Sequence, residues 1–259
     1  MLKKIITAHI FILLFIGNLS ATENVKVGGY VFPPFVEKDD KGNISGLTLD
    51  LIDSLNKIQS EYHFSFVLTS SRRRYSSFEN GQFDMLFFEN IFWGWQKADI
   101  EATKVFLTGG EVFIALKSKA KHQEYFNNLK SKSIAAMLGY HYSFAEFNSN
   151  PEFLRSKFNI QLSTNEKRNI QLVLWDRMDI AIVSKSYLAR FFLENPSAKS
   201  KLLISDKMDQ EYNHTVLIKK DFHLKTTKMN ALLEKLVLTG EYNHILQKYG
   251  IKQKFSFTK

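Results

Sequence analysis

The sequence predicts an α/β fold, in which strands alternate with helices along the chain. The apolar run from Val25 to Val31 is typical of a strand, and prolines at positions 33 and 34 end it because proline has no N–H to donate. A turn signal follows at residues 41–43. Leucine and isoleucine residues between 47 and 55 then recur at spacings of two to four, which predicts an amphipathic helix that begins near Thr48.

The composition predicts a globular chain. With 259 residues, 44% of them hydrophobic and 23 of them phenylalanine, the chain can bury one large core or the cores of two lobes. It has no cysteine, so no disulfide framework is expected. The formal net charge is +9, but the basic residues are scattered and the only tight run is Arg72–Arg74. Because no recognition motif accompanies them, we expect no nucleic-acid partner.

The first 21 residues have the pattern of a secretory signal peptide. Lys3 and Lys4 precede an apolar core from Ile10 to Ile16, and small residues follow it up to Ala21. A membrane anchor is the alternative, but the apolar stretch is shorter than the roughly 20 residues that span a bilayer. We therefore expect a mature chain that begins at Thr22, in the periplasm.

The next elements continue the alternation of strand and helix. Phe64 to Leu68 is a predicted strand, and residues 70–78 form a loop and a short helix that carry the three arginines. Residues 78–88 then predict a helix end, a turn at Gly81 and a buried strand. Glycine suits that turn because the end of a helix often requires positive φ. The segment from Val105 to Leu116 is a further apolar strand.

In the second part of the chain, a polar stretch at residues 117–132 predicts loop with some helix. Gly240 separates the last two predicted helices. The remaining predicted elements are strands at 133–138, 179–183 and 214–219, and helices at 170–178, 229–237 and 242–249.

Several of these motifs resemble the family 3 periplasmic solute-binding proteins, the receptors of polar amino-acid ABC transporters. They are PPF after the first strand, DxxGxxxGxxxDL at residues 39–51, GxxD at residues 81–84, LWDRMDIAIVS at residues 174–184 and the ending MNALLEKLVLTGEYNHILQKYG. Asp176 stands where the family has glycine. The resemblance covers nearly the whole mature chain, although the first unit alone also fits any α/β protein.

The resemblance implies a two-lobe periplasmic binding protein of type II, each lobe a mostly parallel sheet flanked by helices. Lobe 1 would comprise residues 22–111 and 212–259, and lobe 2 would comprise residues 112–211. A small-molecule ligand would lie between the lobes and close them about a hinge. The implied partner is an inner-membrane ABC permease, and we expect a monomer.

The resemblance also implies a charged clamp for the ligand, which this chain lacks. The family's amino-acid binders use an arginine for the α-carboxylate and two aspartates for the α-ammonium, and the matching positions hold Gln96, Gly29 and Ser184. A ligand charge buried without a partner costs several kcal/mol. We therefore expect a ligand that is not a standard α-amino acid.

An aromatic-rich cleft replaces the clamp in this interpretation and suits a planar, aromatic or cationic ligand. Trp93 is expected to follow the cleft strand as an aromatic wall, with core packing as its alternative, whereas Phe32 and Phe92 are expected in the core. Arg74 is placed to reach an anionic ligand group. The predicted ligand-binding residues are Tyr30, Phe35, Arg74, Glu89, Asn90, Trp93, Tyr140, Tyr142 and Ser184.

The sequence has no motif for catalysis. HExxH, GxxxxGK[ST], GxSxG and GxGxxG are absent, and the seven histidines lack metal-ligand spacing. We therefore expect no metal site, no cofactor and no enzyme. Carboxyl groups such as Asp84 and Glu89 keep a dehydratase-like enzyme on the same fold as one alternative, and an orphan ligand-sensing receptor is the other.

Overall fold

The structure, a computed structural model, describes residues 22–252. The predicted signal peptide, residues 1–21, lies outside the described residues. Within the part that is described, no helix is long and apolar enough to cross a membrane.

The described residues form eleven strands, eight α-helices and three short 3-10 helices. The strands are β1 (Glu23–Gly29), β2 (Glu37–Lys38), β3 (Ile44–Ser45), β4 (Tyr62–Leu68), β5 (Met85–Glu89), β6 (Ile100–Ala102), β7 (Leu107–Leu116), β8 (Ser133–Met137), β9 (Asn159–Ser163), β10 (Ile180–Ser184) and β11 (Leu202–Lys219). The helices are α1 (Leu47–Ile58), α2 (Arg74–Glu79), α3 (Pro151–Lys157), α4 (Glu166–Leu174), α5 (Lys185–Glu194), α6 (Pro196–Lys201), α7 (Thr226–Leu238) and α8 (Glu241–Lys248).

The strands follow the order β4-β1-β5-β11-β7-β10-β8-β9, and β6 also pairs with β11. β1 is parallel to β4 and β5, and β8 is parallel to β9 and β10. The antiparallel pairs of this sheet all involve β7 or β11. The predicted α/β class with mostly parallel flanking strands is confirmed.

β11 is much longer than the strand expected at residues 214–219. Its first part pairs with β7, and its last residues pair with β5 and β6. The register with β7 shifts between Ile204 and Met208 and again between Met208 and Gln210, which marks bulges. Because β11 has partners on both sides of these bulges, the strand order runs without a break from β4 to β9.

The buried apolar side chains form separate clusters in two parts of the chain. One cluster draws on residues 25–107 and 212–249, which we call the terminal half. Two clusters draw on residues 112–202, which we call the central half. β7 and β11 cross from one half to the other, so they are the backbone segments that connect the two cores.

Two backbone positions explain local features of the sequence. Gly46 precedes α1 at φ 128°, and a Cβ there would lie 2.5 Å from the carbonyl oxygen of Phe35, so only glycine fits. Asp176, which replaces the family's glycine, has φ 58° after α4. Aspartate tolerates this left-handed conformation better than most residues, so the turn is retained.

Candidate functional site

A small cavity lies between the two halves. Ligands of open α/β sheets bind beyond the carboxyl ends of the strands, and the loops after β1, β5 and β8 reach this cavity. The crossing strands β7 and β11 contribute one residue each. The lining residues are Tyr30, Phe32, Arg74, Trp93, Glu111, Tyr140, His141 and Gln210.

Aromatic rings from both halves meet at the cavity. The ring of Phe32 lies parallel to that of Tyr30, with centroids 6.0 Å apart, and meets Tyr140 of the central half edge to face at 5.5 Å. Trp93 contacts Phe32 in the same manner at 6.0 Å. These arrangements are the favoured geometries of aromatic pairs, so the cavity has a preformed apolar wall.

Arg74 is the cation of the cavity, and it is only 1% exposed. Its Nε lies 3.4 Å from Oε1 of Glu89, and its guanidinium carbon lies 4.7 Å and 4.5 Å from the ring centroids of Tyr30 and Tyr75. The other oxygen of Glu89 accepts a hydrogen bond of 2.7 Å from the indole of Trp95. The guanidinium is thus held between two rings, with a carboxylate beside it.

The surroundings of this pair keep Arg74 charged. Burial opposes its charge, but Tyr30 and Glu89 outweigh that effect and hold the pKa of Arg74 above its ordinary value. Burial raises the pKa of Glu89, and the proximity of Arg74 offsets part of that rise. Nε of Arg74 has no hydrogen-bond partner among the described residues.

Gln210 connects the crossing strands to both halves. Its Nε2 donates to Oε2 of Glu111 at 2.8 Å and to the carbonyl oxygen of His141. Its Oε1 accepts from Nε1 of Trp93 at 3.2 Å. One amide therefore fixes the positions of an acid, an indole and a main-chain turn around the cavity.

Glu111 is the acid of the cavity. It is 4% exposed, and burial raises its pKa well above the ordinary value. The nearest carboxyl groups, Asp209 and Glu166, raise it further because like charges repel. Glu166 is itself buried, with a pKa raised to about 8, although its Oε1 accepts a 2.6 Å hydrogen bond from the N–H of Ser184.

The two buried histidines near the cavity are neutral at pH 7. Burial lowers the pKa of His214 to about 3, and its Nδ1 lies 2.8 Å from the carbonyl oxygen of Phe88. Burial and the charge of Arg74 lower the pKa of His141 to about 4. Neither imidazole therefore supplies a positive charge to the cavity.

The structure brings four of the nine predicted binding residues to the cavity, namely Tyr30, Arg74, Trp93 and Tyr140. Three others do not line the cavity but lie behind the residues that do. Phe35 packs 4.9 Å from Phe32, Glu89 pairs with Arg74, and the Oδ1 of Asn90 accepts from the N–H of Phe92 at 3.1 Å.

Three expectations about individual side chains need correction. Tyr142 does not face the cavity but lies in a core cluster of the central half, because its hydroxyl accepts a 2.7 Å hydrogen bond from the N–H of Met137. Ser184 caps α5 by accepting from the N–H of Tyr187 at 3.3 Å. Phe92 is not a core residue, since it is 61% exposed.

The three clamp positions have other roles in this chain. A Cβ at Gly29 would lie 2.5 Å from the ring of Phe66, so no aspartate fits there without rearrangement. Gln96 is exposed, and Ser184 caps a helix. The positions thus lack charges, and Gly29 also lacks space for one.

Sequence reasoning missed Glu111, His141 and Gln210 as cavity residues. It placed Phe32 in the core, where the ring is indeed buried, but the ring also lines the cavity. A signal for Glu111 was present, because it is the single charged residue in the apolar run of β7. A buried charge in such a run has a specific partner or a function. His141 and Gln210 carry no such signal, since His141 lies between two tyrosines and Gln210 lies between two acidic residues in the sequence.

Residues 25–252 match the bacterial extracellular solute-binding proteins, family 3. A protein from Neisseria gonorrhoeae named "Probable histidine-binding protein" is 21% identical over 226 residues, which are 86% of this chain and 81% of that one. A solved ABC uptake transporter substrate binding protein from Streptococcus pneumoniae, with bound histidine, has a TM-score of 0.71 and 14% identity over 90% of this chain and 94% of that one.

A "putative binding component of ABC transporter" from Wolinella succinogenes, complexed with lysine, has a TM-score of 0.70 and 19% identity, over 89% of this chain and 97% of that one. These structural likenesses confirm the fold of the type II periplasmic binding proteins. The family match spans almost all of the described residues. The chain therefore belongs to the bacterial extracellular solute-binding proteins of family 3.

Proposed function

We propose that this protein captures a small ligand in the cavity between its two halves and presents it to an inner-membrane ABC permease. The observation that carries the proposal is the cavity itself, which combines aromatic rings, one arginine and one acid at the carboxyl ends of the strands. Export to the periplasm and a monomeric state are part of the proposal. So are lobe boundaries at residues 22–111, 112–211 and 212–259, which the separate core clusters support.

We further propose that the ligand is not a standard α-amino acid. The charged clamp positions are occupied by Gly29, Gln96 and Ser184, and Arg74 already has Glu89 beside it. A zwitterion would bury a carboxylate and an ammonium without the usual partners. Each such loss costs several kcal/mol, which is enough to remove useful affinity.

A thermal-shift and calorimetric screen tests this function. Polyamines, aromatic acids, other amines and small sugars are compared with glutamine, arginine, histidine and lysine. We expect the four amino acids to bind more weakly than roughly 0.1 mM, and a compound of another class at about 100 times its Kd to add about 2.7 kcal/mol of stability. Submicromolar affinity for one of the amino acids would show that Arg74 and Glu111 rebuild the clamp.

Closure of the halves is expected to depend on the ion pair of Arg190 with Glu37, which joins α5 to β2. Such a partly exposed pair contributes about 0.5–1 kcal/mol, so Arg190→Gln should shift the open-to-closed ratio about two- to fivefold toward open. Small-angle scattering measures this as a larger radius of gyration. The control is Lys119→Gln, which breaks the exposed pair of Lys119 with Asp176 within the central half. An unchanged curve for Arg190→Gln would exclude this role.

A dehydratase-like enzyme is the second candidate, because Glu111 is a buried carboxyl group in the cavity and burial raises its pKa, as general acid catalysis requires. Mass spectrometry of each binding compound after incubation separates the two functions. Recovery of the unchanged compound supports a binding protein, whereas loss of water supports the enzyme.

A further inference from the structure

We propose that the ligand carries an organic cation and that the carboxylate of Glu111, on the crossing strand β7, is its counter-charge. This proposal rests on the proposed function and names the ligand class for the same cavity. In this proposal, a residue of β7 supplies the charge that is absent from the three clamp positions.

Glu111 lines the cavity and has no cationic partner among the described residues. Among the described residues it has no ion pair with lysine, arginine or histidine, and its one side-chain hydrogen bond comes from Nε2 of Gln210 at 2.8 Å. The neighbouring acids, Asp209 and Glu166, do not line the cavity. Asp209 accepts from the N–H groups of Ser143 and Phe144, at 2.7 Å and 2.9 Å, and one oxygen of Glu166 accepts from the N–H of Ser184. Glu111 is therefore the acid that is available to a ligand.

Arg74 does not serve as the counter-charge of Glu111. Its guanidinium lies 3.4 Å from Glu89 and is held over the rings of Tyr30 and Tyr75. The arginine and its acid balance each other, so Glu111 is the remaining ionisable acid of the cavity without a cation beside it. A cationic ligand would pair with the ionised form of Glu111, whereas a ligand carboxylate would face a second carboxyl group and gain no counter-charge.

The aromatic wall favours the same ligand class. Phe32, Trp93 and Tyr140 surround the space with rings that meet edge to face, and their π faces attract a positive charge that has lost its water. Rings of this kind bind alkylated ammonium groups in particular. An acid among the rings adds a directed charge to that attraction.

The proposal predicts that binding of the cation releases a proton. Burial raises the pKa of Glu111 because it disfavours the ionised form, and a bound cation opposes that rise because it favours the ionised form. Affinity for cations should then rise with pH, by up to about tenfold per unit, until the pH exceeds that pKa. The charged and titratable groups that face Glu111 are Asp209 and Tyr212 on β11, Glu166 on α4, and Tyr140 and Tyr142 after β8.

The test compares two cations with neutral compounds of the same shape. Choline is paired with 3,3-dimethylbutan-1-ol, and benzylamine is paired with benzyl alcohol. Calorimetry is performed on the wild-type chain, on Glu111→Gln and on the control Glu211→Gln, which removes an exposed carboxyl group on β11. For at least one pair, we expect the cation to bind about tenfold or more tightly than its neutral partner. We expect Glu111→Gln to remove that preference and Glu211→Gln to retain it.

A second measurement does not depend on the variant. The enthalpy of binding of the preferred cation to the wild-type chain at pH 7 should differ between phosphate and Tris, because the bound cation favours loss of the proton from Glu111. Equal enthalpies, or a preference for the neutral partners, or no binding of either cation, would overturn the proposal. The proposed function stands independently if a sugar or an aromatic acid from the wider screen binds and closes the halves.

Discussion

Replacing Arg74 by methionine is expected to lower the free energy of unfolding by about 3–5 kcal/mol, because Glu89 then stays buried without its counter-charge. Both side chains are almost fully buried, at 2% and 1% exposure. Loss of the arginine also removes a cation from between the rings of Tyr30 and Tyr75. Urea denaturation measures the loss.

The pH dependence and two variants identify the cause of that loss. Without Arg74, the already raised pKa of Glu89 in the folded protein rises further. The stability that such a group contributes is fully present below its unfolded pKa and is lost as the pH rises toward its folded pKa. The difference from wild type should therefore be larger at pH 8 than at pH 5. Arg74→Met combined with Glu89→Gln should recover more than half of the loss, whereas the exposed neighbour Arg73→Met should cost less than about 0.5 kcal/mol. Wild-type stability of Arg74→Met would refute the ion pair.

Replacing Trp93 by alanine is expected to weaken ligand binding about tenfold or more and to lower the unfolding free energy by about 3–5 kcal/mol. The sequence alone suggests either a binding wall or a core residue, but the indole is 6% exposed, belongs to the core cluster of the terminal half and also lines the cavity. Both effects follow from that position. Chemical denaturation and calorimetry, with the tightest compound of the screen, measure them separately.

A conservative variant separates the two effects of Trp93. Trp93→Phe retains an aromatic face but loses the 3.2 Å hydrogen bond to Gln210, so we expect a smaller loss of stability and partial retention of affinity. The control is Phe92→Ala, since the adjacent side chain is 61% exposed and lies away from the cavity. If Trp93→Phe and Trp93→Ala bind as tightly as wild type, the indole is a core residue alone.

Much of the fold was predictable because local patterns coincide with tertiary packing. The strand at Val25, the helix near Thr48, the turn at Gly81 and the two C-terminal helices all carry strong periodicity or turn chemistry, and the structure has each of them. The elements at 151–163 and 185–201 were not predicted, since charged and polar residues interrupt their apolar residues. β11 was underestimated because residues 202–213 alternate irregularly, and pairing with β7 holds them extended.

The candidate site was predictable only where it follows a strand end. Tyr30, Trp93 and Tyr140 each come after a strand, so their approach to the cavity follows from the topology of an α/β sheet. Glu111 and Gln210 reach it from strands that cross between the halves, and the direction of a side chain there depends on the bulges of β11. No periodic pattern in the sequence indicates the register of these strands.

The long strand β11 has a consequence for how this protein can change over evolutionary time. Gln210 lies at its second bulge and touches Trp93, Glu111 and the turn at His141, so one residue belongs both to the connection between the halves and to the wall of the cavity. In the proposed function, a substitution that adapts the cavity to a new ligand also alters the stiffness of that connection. Ligand specificity and the opening and closing of the halves therefore depend on the same residue, so evolutionary change in one also changes the other.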